Sequence, residues 1–192
     1  RWEHNHQEVV DAALEVINTL LSGRNLTLAF LVENQWWPGF TFTMPALTRR
    51  LLDGIQYENK GIMLDTGHLM NANLELRTQE EGADWVSRML EEHGGLGSMV
   101  RGIHLHQSLS GAYVKAHTGS LPDPWPVDYA EQFCQSYQHI LSIDTHRPWT
   151  TPAVRALVER IAPEWLVHEL SAANRAERDK RLEIQSRALG VL

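Results

Sequence analysis

The stretch Lys60-Gly-Ile-Met-Leu-Asp65-Thr-Gly-His68 sets the frame for the whole chain. A short apolar run of strand length stops at a carboxylate, and a histidine follows three residues later. The same unit recurs on both sides. Upstream, Leu26-Thr-Leu-Ala-Phe-Leu-Val-Glu33 reads as a mostly buried strand that also ends in an acid. Downstream, Val100-Arg-Gly-Ile-His104-Leu-His106 ends in two histidines, and Glu164-Trp-Leu-Val-His-Glu169 in a further acid. Between these runs lie helical patterns. Residues 8–22 carry Val9, Val10, Ala13, Val16, Ile17, Leu20 and Leu21 at helical spacing, with Gly23 as a stop signal. Residues 45–55, 79–93 and 172–189 read as further helices. Thr150-Thr151-Pro152 opens another, with a threonine cap and proline in the first turn. Strands alternating with helices predict parallel βα units and an α/β fold. One segment breaks the rhythm: about 107–143, holding Pro122, Pro124, Pro126 and a helix near 128–141, reads as an enlarged loop or insertion.

The composition fits a single globular domain over 1–192. Apolar residues make up 43% of the chain and there are seven tryptophans, enough to exclude disorder driven by composition. No apolar run reaches the length of a membrane-spanning helix. The single cysteine, Cys134, excludes an internal disulfide and a cysteine-built zinc site. It suits a reducing compartment, and with no signal-type stretch after Arg1 a cytoplasmic location is expected. Lys plus Arg is 17 against 24 Asp plus Glu, a net charge of −7. That balance argues against a large phosphate-backbone footprint, so nucleic acid is not an expected partner.

The strand ends carry the chemistry. In parallel α/β proteins the loops after the strands build the pocket. Glu33, Asp65 and Glu169 each follow apolar runs, where an unpaired carboxylate is costly to bury. Three such groups near one another repel, and a divalent ion is the simplest way to hold them. With imidazole added, the mixed oxygen and nitrogen set suits Mn²⁺, Zn²⁺, Co²⁺ or Mg²⁺. Trp36 and Trp37, beside the first acid, can stack on a sugar face or pack in the interior. His168 alternates with Val167 and Glu169 and is expected to face an outer helix layer.

The order Leu-Val-Glu33-Asn, Leu-Asp65-Thr-Gly-His68, Ile-His104-Leu-His106, Asp144-Thr-His146-Arg and Val-His-Glu169 resembles the xylose isomerase-like TIM-barrel superfamily. That group includes sugar isomerases and epimerases, inositol-catabolic enzymes and the endonuclease IV type of AP endonuclease. The resemblance spans essentially the whole chain and matches strands five to eight of a (β/α)8 barrel, so it implies a partial barrel. It further implies a metal held by Glu33, Asp65, His104 and Glu169, with His106 as a pocket residue. His68 is similar to a substrate-binding histidine of the epimerases and to a second-metal ligand of the endonucleases. Asp144 and His146 resemble the Asp-x-His pair that completes the endonuclease multi-zinc site. At Gly39 and at Ala112 (or Ser110) the sequence lacks the second glutamate and the arginine of ketose epimerases.

The function so implied is a divalent-metal-dependent isomerase or epimerase of a sugar, sugar phosphate or inositol-type compound. It would act by proton transfer beside a carbonyl, with Glu33 and Glu169 as acid and base. The alternatives are an AP-endonuclease-like multi-zinc phosphodiesterase and a non-catalytic partial barrel. A half barrel exposes two sheet edges, so a homo-oligomer or pairing with a missing N-terminal half is expected.

Overall fold

The four apolar runs lie side by side as one parallel sheet in the order β1-β2-β3-β4. The strands are β1 (Phe30–Glu33), β2 (Lys60–Asp65), β3 (Val100–Leu105) and β4 (Trp165–His168). They belong to a computed structural model that describes residues 3–118 and 124–192. The helices are α1 (His6–Leu21), α2 (Pro45–Gly54), α3 (Thr66–Asn71), α4 (Gln79–His93), α5 (Gly111–His117), α6 (Tyr129–Ile143), α7 (Ala153–Ile161) and α8 (Arg175–Leu189), with a 3-10 segment at Gly94–Met99. The α/β fold with parallel strands is thus present. Among the described residues the sheet is open, because β1 and β4 each pair with one strand only. Part of the expected enlargement at about 107–143 (119–123) lies outside the described residues; the rest forms α5 and α6.

Local chemistry fixes where each helix starts. Asn5 and Glu8 form a reciprocal capping box on α1, as do Thr78 and Glu81 on α4. Asp128 caps α6 and Asn174 caps α8, while Pro45 occupies the first turn of α2. The cap at Asn174 moves the start of the last helix from the expected residue 172 to Arg175. The first strand is also shorter than the expected 26–33. Phe30 pairs with Lys60, where β2 begins, so no ladder partner exists further back. Tyr57 and Asn59 donate instead to the carbonyls of Leu26 and Leu28.

Strand alternation divides the sheet into two faces. Ile62, Leu64, Ile103 and Leu105 are fully buried in the core with Leu51, Leu69, Val86, Val154 and Leu157 from the helices. His168 shares this side, meeting Gln185 of α8 at 2.8 Å, as its alternation implied. The opposite face carries Leu31, Met63 and Gly102 in one layer. A Cβ at Gly102 would meet the Met63 sulfur at 2.7 Å, so glycine lets that side chain lie across the strand where a larger residue would make it shift. Trp165 and Val167 of β4 remain 42% and 44% exposed. One layer further along the strands the residues turn from apolar to polar, and there Asp65 pairs with His104.

Candidate metal centre

Glu33 and Asp65 close β1 and β2, His104 lies one residue before the end of β3, and His106 and Glu169 follow β3 and β4 directly. The Glu169 N–H still donates to the Leu105 carbonyl at 3.3 Å, so the sheet fixes Glu169 beyond the strand proper. His68 comes from α3, a helix whose N-cap is Asp65 itself, its Oδ1 accepting the His68 N–H at 2.7 Å. Asp144 is the C-cap residue of α6, and His146 follows in the loop. That loop is tied to the loop after β3, where Arg147 and Gln107 exchange two backbone hydrogen bonds of 2.8 and 3.2 Å. His146 adopts φ +45°, a left-handed conformation that costs a non-glycine residue of the order of 1 kcal/mol.

These eight side chains converge at one end of the sheet. His104 Nδ1 lies 3.1 Å from Glu169, 3.4 Å from Glu33 and 3.8 Å from Asp65. His106 Nε2 lies 2.9 Å from Asp65. His68 reaches Glu33 and Asp144, each at 3.2 Å, through its two ring nitrogens. His146 Nε2 lies 3.3 Å from Asp144 and 3.4 Å from Glu169. Three overlapping groups have ligand atoms close enough to hold an ion: Glu33, Asp65 and His104; Asp65, His68 and His106; His106, His146 and Glu169. His104 and His106 both belong to the cluster, His104 to one of these groups and His106 to the other two.

The donor set fits a divalent cation. Ligands about 2.0–2.2 Å from one ion stand roughly 3–3.5 Å from each other, which is the spacing of His104 Nδ1 to Glu169 and Glu33, with Asp65 a little farther at 3.8 Å. Four buried atoms in the cluster lack a hydrogen bond: His104 Nδ1, His106 Nδ1, Asp144 Oδ1 and Glu169 Oε2. Buried polar atoms without partners are uncommon, and an ion would satisfy them. Without one, protons hold the carboxylates together. Burial works against charge on His68, yet Asp144, Glu33 and Asp65 raise its pKa to about 10. The Glu169 and Glu33 carboxylates raise His104 to about 10 against the opposing effect of burial. Burial also disfavours charge on Glu33, but His104 and His68 hold it down to about 2. His104 and His146 lower Glu169 further still.

Trp36 stands edge-on to the His68 ring with centroids 4.6 Å apart, so it borders the cluster. Trp37 packs on Trp36 and is 39% exposed. Several supporting residues escaped the sequence reading. Asn34, fully buried, donates to the Asp65 carbonyl at 3.0 Å, accepts the Asp65 N–H at 2.8 Å, and offers its own carbonyl to His68. The Trp149 indole N–H donates to the His106 carbonyl at 2.8 Å. Gly67 packs flat on the His106 ring, and a Cβ there would collide with it. A polar residue directly after a strand-ending acid, and a glycine between Asp65 and His68, were the available signals for Asn34 and Gly67. Comparisons with protein-family models, curated proteins and solved structures found no match for the chain.

Proposed function

We propose that the chain is the metal-binding half of a xylose isomerase-like (β/α)8 barrel and acts as a divalent-metal-dependent isomerase or epimerase of a carbohydrate. The observation that carries this reading is the convergence of Glu33, Asp65, His104 and Glu169 from four successive parallel strands. The exposed layer of Trp165 and Val167 on the face away from the helices supports a sheet that continues into a ring. A bound Mn²⁺, Zn²⁺, Co²⁺ or Mg²⁺ ion supplies Lewis acidity toward a carbonyl and its neighbouring hydroxyl. Glu33 and Glu169, the more exposed carboxylates of the cluster, lie on opposite sides of His104 and would take and return the proton beside that carbonyl. Trp36 offers an aromatic face at the rim beside His68.

The experiment is solvent exchange. Metal-loaded protein incubated with a panel of ketoses and ketose phosphates in deuterated water should incorporate deuterium beside the carbonyl. Glu33→Gln and Glu169→Gln should abolish exchange. Absence of exchange across the panel would reject the isomerase reading.

One set of contacts favours a second reading, a multi-metal phosphodiesterase. Asp144 and His146 join the cluster, and the three ligand groups share Asp65 and His106. Shared ligands suit closely spaced ions that activate water and hold a leaving oxygen. Binding of more than one zinc per chain, with hydrolysis of bis(p-nitrophenyl) phosphate, would favour it.

A further inference from the structure

Of Asp, Glu, Lys and Arg, α6 holds only Glu131 in its fifteen residues, whereas α8 holds eight in the same length. The apolar residues of α6 are ordered. Tyr129, Phe133, Tyr137 and Ile140 follow one another at steps of four, four and three, which sets them on one stripe of the helix. Each is between 45% and 79% exposed. The Phe133 and Tyr137 rings lie parallel to within 5°, centroids 6.0 Å apart, and form a flat ledge. Helix α5 packs on another side, where Tyr113 Oη meets His139 Nδ1 at 3.0 Å.

Aromatic side chains gathered where charge is absent have the composition of an interface centre. With about 150–250 Å² for a whole aromatic side chain, the stripe offers roughly 450 Å². Two such stripes face to face, with the glutamines and serine beside them, reach about the 1,200 Å² at which specific interfaces begin. Charge and place select the occupant. The chain has a net charge of −7, so two copies repel least where neither presents a charge. A partner chosen by its charge would find no counter-charge on the stripe. Strands added at the open edges would lie beside β1 or β4, while α6 follows the interior strand β3. A twofold pair needs no second, complementary surface, because one stripe meets its own copy.

We infer that α6 is the contact through which two copies of this chain pair, stripe against stripe. The inference does not depend on the metal-enzyme reading. An interface at the small end of the range holds with micromolar affinity, so sedimentation of the full chain from about 1 to 100 µM should pass from monomer to dimer. Phe133→Gln/Tyr137→Gln should weaken association about a hundredfold or more, since each change counts twice in a symmetric pair. Ser136→Arg lies midway along α6, removes no apolar side chain, and guards against a variant that fails to fold. It should weaken association about tenfold or more by setting like charges opposite each other. Cys134 is exposed, is the chain's one cysteine, and stands between Phe133 and Tyr137 in sequence. A short bismaleimide should therefore join wild-type copies covalently and join neither variant. A chain that stays monomeric at the highest concentration, or association unchanged in either variant, overturns the inference; in the latter case the pairing lies elsewhere, the sheet edges first.

Discussion

Asp65 does two jobs with one carboxylate, and they can be pulled apart. It is fully buried, caps α3 through the His68 N–H at 2.7 Å, and meets His106 Nε2 at 2.9 Å. Asp65→Ala removes the cap and leaves a buried ring nitrogen without a partner. A lost cap costs about 0.5–2 kcal/mol and an orphaned buried group about 1–3 kcal/mol, so about 2–4 kcal/mol is expected. In a chain of this length each kcal/mol moves Tm by roughly 2–4 °C, so the chelator-treated variant should melt about 5–15 °C below wild type. Asp65→Asn keeps an oxygen for the cap and should lose about 1 kcal/mol or less. The metal separates the two variants differently. Mn²⁺ at a hundred times its Kd stabilises the folded wild type by about 2.7 kcal/mol, a rise of roughly 5–10 °C. The asparagine variant should show almost none of that rise, although it folds. Calorimetric melts with chelator and with Mn²⁺ give all four values. The reasoning is refuted if Asp65→Asn gains as much from Mn²⁺ as wild type, or if Asp65→Ala melts with wild type in chelator.

Gly67→Ala should push the His106 ring off Asp65, costing about 1–3 kcal/mol by overpacking and weakening Mn²⁺ binding by about 10–100-fold, as read by calorimetry. The metal-free protein should show a stability plateau between about pH 4.5 and 6.5. His104, raised to about 10, contributes fully below its ordinary 6.5 and loses that contribution as pH climbs toward 10. Glu33, lowered to about 2, contributes fully above its ordinary 4.5 and loses that contribution as pH falls toward 2. Melts across this range should show both flanks, and His104→Gln should make the alkaline one shallower, leaving the share of His68, which is also raised to about 10. Gln185→Ala removes the partner of the Trp149 backbone N–H and of His168 Nδ1, both within 3 Å of the glutamine. Two orphaned groups should lower stability by about 2–5 kcal/mol in urea unfolding, with little change in metal affinity beyond what loosening of Trp149 transmits to His106.

The strand ends were legible because an apolar run that stops at an acid carries its own physical anomaly, and three such stops, with the histidines His104 and His106 closing the other strand, pointed to one shared site. Asp144 and His146 were legible only through resemblance, since nothing local sets that pair apart from an ordinary helix end. Other features depended on contacts that no local pattern encodes. Helix α3 is six residues long and its N-cap, Asp65, is also the last residue of a strand, so neither periodicity had room to show. Asn34 and Trp149 act on residues 31 and 43 positions away, through a register that exists only once the strands pair. His93 drew no role from its sequence position. It is buried against Phe42, with centroids 3.9 Å apart, and hydrogen-bonded to Thr48 and Met89. Burial there lowers its pKa, the opposite direction from His68 and His104, because no carboxylate touches it.

Glu33, Asp65, His104 and Glu169 come from four different strands, and the last of them follows β4. No contiguous peptide of this chain gathers that set, so the four-strand site we propose would be complete only once the final strand docks, although Asp65, His68 and His106 already meet when β2 and β3 pair. Binding of the cation at full strength would then report finished assembly.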